Sequence, residues 1–493
     1  MRFERQSGLF LHLTSLPGPD GVGDLGAGAH AFLDFLAAAD QSLWQFCPLG
    51  PTSGAHGNSP YQSFSAFAGA PMLVDLRDLR TRGYLDDADP PDFPAERVAY
   101  DRVRSYKRER LREAHAAFAA DADEDEHACF DAFRERESAW LADYALFAAL
   151  KDEFEGRPWT EWPTEIKTRE PHAVERYREQ HREEVDFHAF VQWVFDEQWR
   201  RLREAAAERG VKLVGDVPIY VAFDSADVWA TPEAFDLTPD GDPAAVAGVP
   251  PNPGDDGQRW GNPVYDWDAL ADSGYEWWVS RLDRLLDLVD MARLDHFKGF
   301  DEFWAIPADS DDPADGEWRD GPGAAFFETL RAELGGLPFL VEDLGFVDER
   351  LHDLRAAFDF PGMCVPQYAD WCEAGNPYQP MHYPENRVAY TSTHDTDTVV
   401  GYYEALSETQ RDCLHYNLGT DGEDVHWDLV EAVWNADAAL AMTTPQDLLG
   451  LGSEARFNTP GTEDGNWRWR LREGELDDGI ASRLAQLTDV TLR

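Results

Sequence analysis

Short apolar runs recur along the chain, and each is followed by polar or glycine-rich sequence. Eight of these runs have the length and apolar content of buried strands: 8–16, 42–50, 211–221, 291–297, 337–345, 363–368, 387–395 and 441–452. Helical patterns lie between them, such as EWWVSRLDRLLDLVD at 276–290. Buried-type strands that alternate with helices are typical of a parallel sheet wrapped by helices. Eight of them predict an α/β fold in which the sheet closes into a (β/α)8 TIM barrel.

One long stretch, 77–200, interrupts this alternation. It is rich in Arg, Glu, Ala and aromatic residues, and in ERESAWLADYALFAALKDEF (135–154) the large apolar residues recur every three to four positions. That spacing places them on one face of a helix. We therefore predict three parts: the first barrel strands in 1–76, a mainly helical insertion subdomain in 77–200, and the remainder of the catalytic barrel with its active-site loops in 201–493.

The charge of the chain is unusual for a protein with this much core-forming sequence. Apolar residues make up 43% and aromatic residues 13% of the 493 residues, which excludes a disordered chain. The 95 acidic residues against 43 basic ones give a net charge of −52. Such a surface repels nucleic acid and anionic membranes, so neither is expected as a partner. The acids are spread over the whole chain, which favours a halophilic protein over an ordinary acidic one.

The cysteines and the N-terminal segment indicate the cellular compartment in which the protein works. The five cysteines show no CxxC or CxxH spacing, so we expect reduced thiols and no zinc site. The segment MRFERQSGLFLHLTSLPG lacks the apolar run and cleavage pattern of a signal peptide. No apolar run reaches membrane-spanning length. These observations predict a cytoplasmic protein.

Four of the predicted strands end in charged or polar side chains rather than in ordinary loop sequence. These candidates are Asp216 in GDVPIYV, Arg293, Asp295 and His296 in ARLDHFKGF, Glu342 and Asp343 in FLVEDLG, and His394, Asp395 and Asp397 in TSTHDTDT. A (β/α)8 barrel builds its active site at the carboxyl ends of its strands, so these side chains are expected to meet. A single aspartate there is more often a helix cap than a catalyst, and only the whole set indicates chemistry.

Alternation along each strand sorts these side chains by face. Arg293 and Asp295 share a face, so we expect the guanidinium to keep Asp295 ionised, as a nucleophile requires. Glu342 shares a face with Leu340, while Asp343 takes the other. A carboxyl group above an apolar barrel and near other carboxylates is expected to have a raised pKa, which suits Glu342 as a proton donor.

One ionised and one protonated carboxyl group facing the same bond is the arrangement of glycoside chemistry. A retaining enzyme needs the two about 5 Å apart. Neighbouring barrel strands lie roughly 4.8 Å apart, which suits Asp295 and Glu342 if their strands are adjacent.

These segments resemble the signature regions of the amylomaltases, the 4-α-glucanotransferases of the α-amylase clan. Further stretches are similar to the same family: SPYQSFSAFAGAPMLVDL (59–76), GDVPIYVAFDSADVWATPEAF (215–235), GQRWGNPVYDW (257–267) and QDLLGLGSEARFNTPG (446–461). The resemblance is weak only in the helical insertion, apart from DYALFAALKDEFEGRPWTEWP (143–163). It implies a retaining barrel enzyme that moves α-1,4-glucan segments from a maltodextrin donor to an acceptor. We expect no cofactor and no metal in the site, and although no EF-type acidic loop is present, the sequence leaves a structural calcium ion open.

The resemblance also implies a role for each matching residue. Asp295 would be the nucleophile, Glu342 the acid/base, and Asp395 a third carboxylate that bonds sugar hydroxyls and bends the donor ring. The other positions would serve substrate binding. Arg293 would orient Asp295. The donor glucose would be held by Asp216, His296 and His394, Tyr61 would stack on or bond a sugar, and Trp260 would be an aromatic platform. From sequence alone, Trp260 is as readily a core tryptophan.

One loop departs from the family pattern. Where the family has an aromatic pair after Pro-Pro, this chain reads PPNPGDDGQRW, with residues 252–256 in its place. That departure puts acceptor-side stacking in this loop in doubt.

The alternatives to a transferase are an α-1,4-glucan hydrolase with the same carboxylates and a catalytically silent glucan-binding protein. A dehydrogenase or kinase is excluded because no suitable Gly-rich phosphate loop is present.

Overall fold

Eight parallel strands close into a barrel in the computed structural model, which describes residues 3–252, 256–462 and 464–493. Around the barrel the strands follow the order β1, β12, β11, β10, β9, β6, β3, β2. Their bounds are β1 Gln6–Phe10, β2 Leu43–Gln45, β3 Lys212–Val217, β6 Met291–Leu294, β9 Phe339–Val341, β10 Gly362–Cys364, β11 Arg387–Tyr390 and β12 Leu440–Thr443. Each lies within or overlaps one of the eight predicted runs, so the predicted (β/α)8 barrel is confirmed.

The barrel interior is a packed apolar layer. Side chains from seven of the strands form one buried cluster, which includes Leu43, Val214, Met291, Leu340, Met363, Val388, Tyr390, Leu440 and Met442. Because side chains alternate along a strand, the residue two positions beyond each of these faces the same axis, nearer the carboxyl end of the barrel. This geometry carries Asp216, Arg293 and Glu342 above the layer.

The eighteen α-helices lie around and between these strands. Their bounds are α1 Ala27–Ala38, α2 Leu76–Thr81, α3 Tyr100–Asp121, α4 Glu124–Arg136, α5 Leu141–Glu153, α6 Thr164–Lys167, α7 Pro171–Gln180, α8 Arg182–Glu208, α9 Ala226–Ala230, α10 Trp267–Asp272, α11 Glu276–Leu288, α12 Gly323–Leu334, α13 Glu349–Ala357, α14 Val399–Ala405, α15 Glu408–Leu418, α16 Val425–Asn435, α17 Pro445–Leu448 and α18 Asp478–Thr491. The count refers to the three described ranges of the chain.

All regular structure between β2 and β3 is helical. The last helix of this region, α8, also covers the barrel, since Trp199 packs edge-on against Phe46 at 5.5 Å and donates its indole N–H to the Leu288 carbonyl at 2.8 Å. The predicted limits of the helical subdomain, 77 and 200, stay a prediction.

A second insertion was not predicted from the sequence. Four antiparallel strands, β4 Ala245–Val249, β5 Gln258–Pro263, β7 Glu302–Pro307 and β8 Glu317–Asp320, form a separate sheet in the order β5, β4, β7, β8. These strands are short, and apolar and polar residues do not alternate regularly along them. Glycine interrupts β4 and β5, which obscures the period of two by which a strand is recognised.

The expectation of five reduced thiols is wrong for one pair. Cys372 and Cys413 form a disulfide with a Cα–Cα distance of 5.2 Å, and Cys47, Cys129 and Cys364 are free. The two partners lie 41 residues apart, so sequence spacing does not reveal the pairing. Across the described residues, no helix has both the length and the apolar character needed to cross a membrane.

Candidate active site

The site begins where three adjacent barrel strands end. In register, Asp216 of β3 pairs with Arg293 of β6, and Arg293 pairs with Leu340 of β9. The ladder continues one step beyond the strands, because the Asp295 N–H donates to Val217 at 3.0 Å and the Glu342 N–H donates to Leu294 at 3.0 Å. Asp295 and Glu342 thus occupy neighbouring strand ends.

Arg293 binds three carboxylates at once. Its NH1 donates to Asp216 Oδ1 and Oδ2 at 2.8 and 2.7 Å and to Asp295 Oδ1 at 2.9 Å. Its NH2 donates to Glu342 Oε2 at 2.7 Å. Arg293 is 2% exposed, and burial shields these charge-assisted hydrogen bonds from solvent screening. A single planar cation therefore fixes the relative positions of the two carboxyl groups expected to do the chemistry.

The distribution of protons between these carboxyl groups differs from the expectation. Burial raises the pKa of Asp295 well above its ordinary value, and the Glu342 carboxylate adds to the rise over the opposing effect of Arg293. Burial also opposes ionisation of Glu342, but Arg293 and the His296 backbone N–H, 3.0 Å from Oε2, lower its pKa. The expected raised pKa of Glu342 and ionised state of Asp295 are therefore wrong for the free enzyme.

The physical reason is how the guanidinium is shared. The NH2 of Arg293 donates to Glu342, while its NH1 is divided between Asp216 and Asp295. Asp295 and Glu342 also act on each other, which adds to the rise in the pKa of Asp295 and to the fall in that of Glu342, so the pair titrates as one unit that holds a single proton between the two pKa values.

Asp343 takes the opposite face of its strand end, as alternation predicts. Its carboxylate accepts hydrogen bonds from the Arg387 guanidinium at 2.8 Å and from the Met363 backbone N–H at 2.8 Å. It therefore ties neighbouring strands together and does not join the cluster around Arg293.

A third carboxylate, Asp395, lies after β11. His394 Nε2 is 3.0 Å from its Oδ2, and the Asn458 amide donates to its Oδ1 at 2.6 Å. Burial opposes ionisation, but the His394 ring and the Asn458 amide outweigh it and lower the pKa of Asp395 to about 2. Arg456 also donates to the Asp395 backbone carbonyl at 2.6 Å. Asp395 is thus held as a carboxylate, able to accept hydrogen bonds from sugar hydroxyls.

Tyr61 links the two halves of the site. Its hydroxyl donates to Asp216 Oδ2 at 2.9 Å and lies 2.8 Å from His394 Nε2. The two rings stack at 5.2 Å, and Phe10 stacks on the His394 ring at 5.5 Å. Tyr61 therefore joins the Arg293 cluster to Asp395 through one chain of hydrogen bonds.

His296 and Trp260 lie together on the side of the second sheet. His296 adopts a left-handed backbone conformation with φ 47°, and its ring meets Trp260 edge-on at 4.9 Å. The Trp260 indole is partly exposed and donates to Gln258 Oε1 at 2.9 Å. Trp260 is thus not a fully buried core residue. In the departing loop, residues 253–255 lie outside the described residues.

The structure brings together all nine residues to which the resemblance assigns a role and adds two that were missed. Asn458 and Arg456 bond Asp395 from 61 or more residues away along the chain. Both lie in the segment 446–461, whose resemblance to the family offered the only sequence signal for them. No spacing rule assigns either a role.

Two acidic clusters outside the site have the composition of metal ligands, but each faces cationic side chains. The first cluster consists of Asp301, Glu302 and Asp348. The Lys298 ammonium lies 2.9, 3.0 and 3.0 Å from their carboxylates. The second cluster consists of Asp152, Glu184 and His188. The Arg112 guanidinium donates to both carboxylate oxygens of Glu184 at 2.9 and 2.6 Å. A cationic side chain therefore already neutralises each cluster.

The closed parallel barrel, with a buried carboxylate pair and a third carboxylate at the carboxyl ends of its strands, defines a (β/α)8-barrel enzyme equipped for glycosidic bonds. A family model described as 4-alpha-glucanotransferase matches residues 11–476. The chain belongs to this 4-alpha-glucanotransferase family, whose members act on α-1,4-glucans. The predicted family and the predicted transferase function are confirmed.

Individual relatives of the chain carry the same description as the family model. The 4-alpha-glucanotransferase of Thermus thermophilus is 45% identical over 502 residues and 100% of both chains, and that of Synechocystis sp. is 43% identical over 99% of this chain and 98% of its own. Among solved structures, the amylomaltase from Streptococcus agalactiae in complex with acarbose has a TM-score of 0.95, with 36% identity over 99% of this chain and 100% of its own.

Proposed function

We propose that the enzyme transfers α-1,4-glucan segments by a double displacement at Asp295 and Glu342. Asp295 attacks the anomeric carbon as the glycosidic C–O bond breaks, and Glu342 gives its proton to the departing oxygen. Glu342 then takes the proton of an acceptor 4-hydroxyl, whose oxygen displaces Asp295. Two inversions restore the α-configuration. The observation that carries this proposal is the Arg293 guanidinium, which holds Asp295 through NH1 and Glu342 through NH2 at neighbouring strand ends.

The surrounding side chains would hold the donor glucose in this geometry. Asp395 is ionised and accepts hydrogen bonds from ring hydroxyls, which strengthen as the ring flattens toward the transition state. Arg293 orients Asp295. The remaining substrate-binding residues in this proposal are Asp216, His296, His394, Tyr61 and Trp260.

Substrate binding must also move a proton in this scheme. In the free enzyme the pKa of Asp295 is raised and that of Glu342 is lowered, so the shared proton lies toward Asp295. A glucan whose anomeric carbon approaches Asp295 must enter between the Asp295 and Glu342 carboxyl groups. We propose that the proton then passes to Glu342, beside the glycosidic oxygen, and leaves Asp295 as the anionic nucleophile.

The pH profile of kcat/KM is expected to be bell-shaped, because only the singly protonated pair is active. As pH falls through the lowered pKa of Glu342, the pair gains a second proton and loses its nucleophile. As pH rises through the raised pKa of Asp295, the pair loses its only proton and with it the acid. Asp395, with a pKa of about 2, stays ionised throughout. An acid limb with its midpoint above about pH 5 would contradict the lowered pKa of Glu342.

Transfer is expected to exceed hydrolysis when maltotriose is the only substrate. The products should be glucose and a ladder of longer maltodextrins, because an acceptor glucan intercepts the covalent intermediate before water does. Chromatography of the products measures the ratio, and NMR of the first products should show retained α-configuration.

Glucose and maltose alone would instead identify a hydrolase, and a β-anomeric product would exclude double displacement. The alternative of a hydrolase has one specific point in its favour: the loop at 252–256 lacks the aromatic pair of the family. Some hydrolysis beside the ladder is therefore compatible with transfer. Absence of any product under saturating maltotriose would indicate a silent glucan-binding protein.

Two features of the cellular setting belong to the same proposal. The net charge of −52 supports a protein that works in concentrated salt, with maltodextrins as neutral donor and acceptor and with no nucleic-acid or membrane partner. A cytoplasmic location is supported by the exposed free thiol of Cys129.

A further inference from the structure

A cavity of about 350 Å³ lies apart from the Arg293 cluster, between α5, α9, α11 and the chain segment that follows Tyr61. This volume falls within the usual range of small-molecule sites. Its lining includes four aromatic side chains, Phe67, Trp140, Tyr144 and Trp277, and four acidic ones, Asp143, Asp227, Glu233 and Glu276. None of the residues assigned to catalysis or to the donor glucose lines it.

Two arginine guanidinium groups interact with the aromatic rings that form the walls. Phe67 stacks on Trp140 at 6.2 Å and meets Trp277 edge-on at 6.2 Å. The Arg281 guanidinium lies 5.4 Å from the Trp277 ring centroid, and that of Arg284 lies 5.5 Å from Trp140. Neither arginine lines the cavity. Because Trp277 and Trp140 already interact with guanidinium groups, they attract a further cation less strongly. The walls therefore suit a neutral ligand.

The polar groups of the cavity are mainly hydrogen-bond acceptors. Asp227 is 5% exposed, and its Oδ2 accepts the Ala66 backbone N–H at 2.9 Å. Tyr144 is 4% exposed, and its hydroxyl makes no hydrogen bond within the described part of the chain. Glu276 and Glu233 are exposed at the rim. A ligand rich in hydroxyl groups can donate to these carboxylates and satisfy the tyrosine hydroxyl.

We propose that this cavity is a second, non-catalytic binding site for a glucosyl unit of an α-glucan. A glucose ring presents apolar C–H faces to aromatic walls and hydroxyl donors to carboxylates, and it carries no charge. The proposal stands on the geometry of the cavity and holds whether or not the roles of Asp295 and Glu342 are as proposed.

The cavity is joined to the catalytic site by a short piece of backbone. Ser65 and Phe67 line it, and both follow closely on Tyr61 in the chain. The Ala226 N–H of α9 donates to the Phe64 carbonyl at 2.8 Å, and Asp227 accepts from Ala66. A glucan held here is therefore placed beside the segment that carries Tyr61.

The test uses 1,5-anhydroglucitol, a glucose ring with no anomeric leaving group, which cannot act as a donor. Binding to the full-length enzyme is measured by calorimetry and by ligand-observed NMR. Two binding events are expected. Glu276→Gln and Tyr144→Phe should weaken one of them about three- to tenfold, the range for loss of a single hydrogen bond. Turnover of maltotriose should stay unchanged in both variants.

The control is Asp283→Asn, which removes a charge from an exposed position on the same helix, outside the cavity. It should bind as the wild type does. A single binding event in the wild type, or unchanged binding in Glu276→Gln and Tyr144→Phe, would overturn the proposal. So would a response of these variants to tetramethylammonium chloride in place of the sugar, since that result would identify a cation site.

Discussion

Replacing Asp295 by asparagine is expected to lower kcat/KM on maltotriose by about 10⁴-fold or more, while glucan binding persists. The amide keeps the shape of the side chain and an oxygen for Arg293, but it cannot attack the anomeric carbon. Stability should change little, because burial already favours the uncharged form of Asp295 in the free enzyme. Initial rates and thermal unfolding of the same preparation measure both effects.

The matched control is Asp290→Asn. Asp290 lies just before the amino end of β6, the strand that carries Asp295 at its carboxyl end, and accepts the Leu213 N–H at 2.8 Å. It should retain turnover, which separates loss of the nucleophile from a general effect of removing a carboxylate. Near-wild-type transfer by both Asp295→Asn and Glu342→Gln would show that the assignment of the two roles is wrong.

The thermal midpoint is expected to rise by roughly 10 °C or more between dilute buffer and 2 M KCl. At 0.01 M salt the Debye length is about 30 Å, so acids across the whole molecule repel one another. At molar salt it is about 3 Å, and only immediate neighbours interact. Salt also weakens surface ion pairs such as Arg483–Asp424, but exposed pairs contribute only about 0–1 kcal/mol each. With 95 acids against 43 basic residues, relief of repulsion prevails.

Sucrose at matched osmolality is the control, because it is excluded from protein surfaces without screening charge. It should raise the midpoint less than KCl does. A midpoint that stays level from dilute buffer to molar KCl or NaCl would show an ordinary acidic protein and remove the case for a halophilic one. Turnover on a neutral glucan should follow the folded fraction, since salt does not compete for an uncharged ligand.

Local sequence alone determined the barrel and the position of its charged rim. Buried parallel strands must be apolar on both faces, so all eight of them are visible as short apolar runs. Alternation then separates Glu342 from Asp343 and aligns Arg293 with Asp295, because a strand repeats every two residues. The acidic surface is likewise a property of composition. These features depend on periods of two to four residues and on residue counts, which need no knowledge of distant contacts.

The tertiary structure alone decided what depends on contacts between distant segments. Asn458 reaches Asp395 across 63 residues, and Tyr61 reaches His394 across 333. The second sheet and the Cys372–Cys413 pair also have no local signal. The sharing of Arg293 between Asp216, Asp295 and Glu342 reversed the expected pKa order, because a pKa is set by burial and by every neighbouring charge together. Sequence identifies the charged groups, whereas only the fold determines which of them holds the proton.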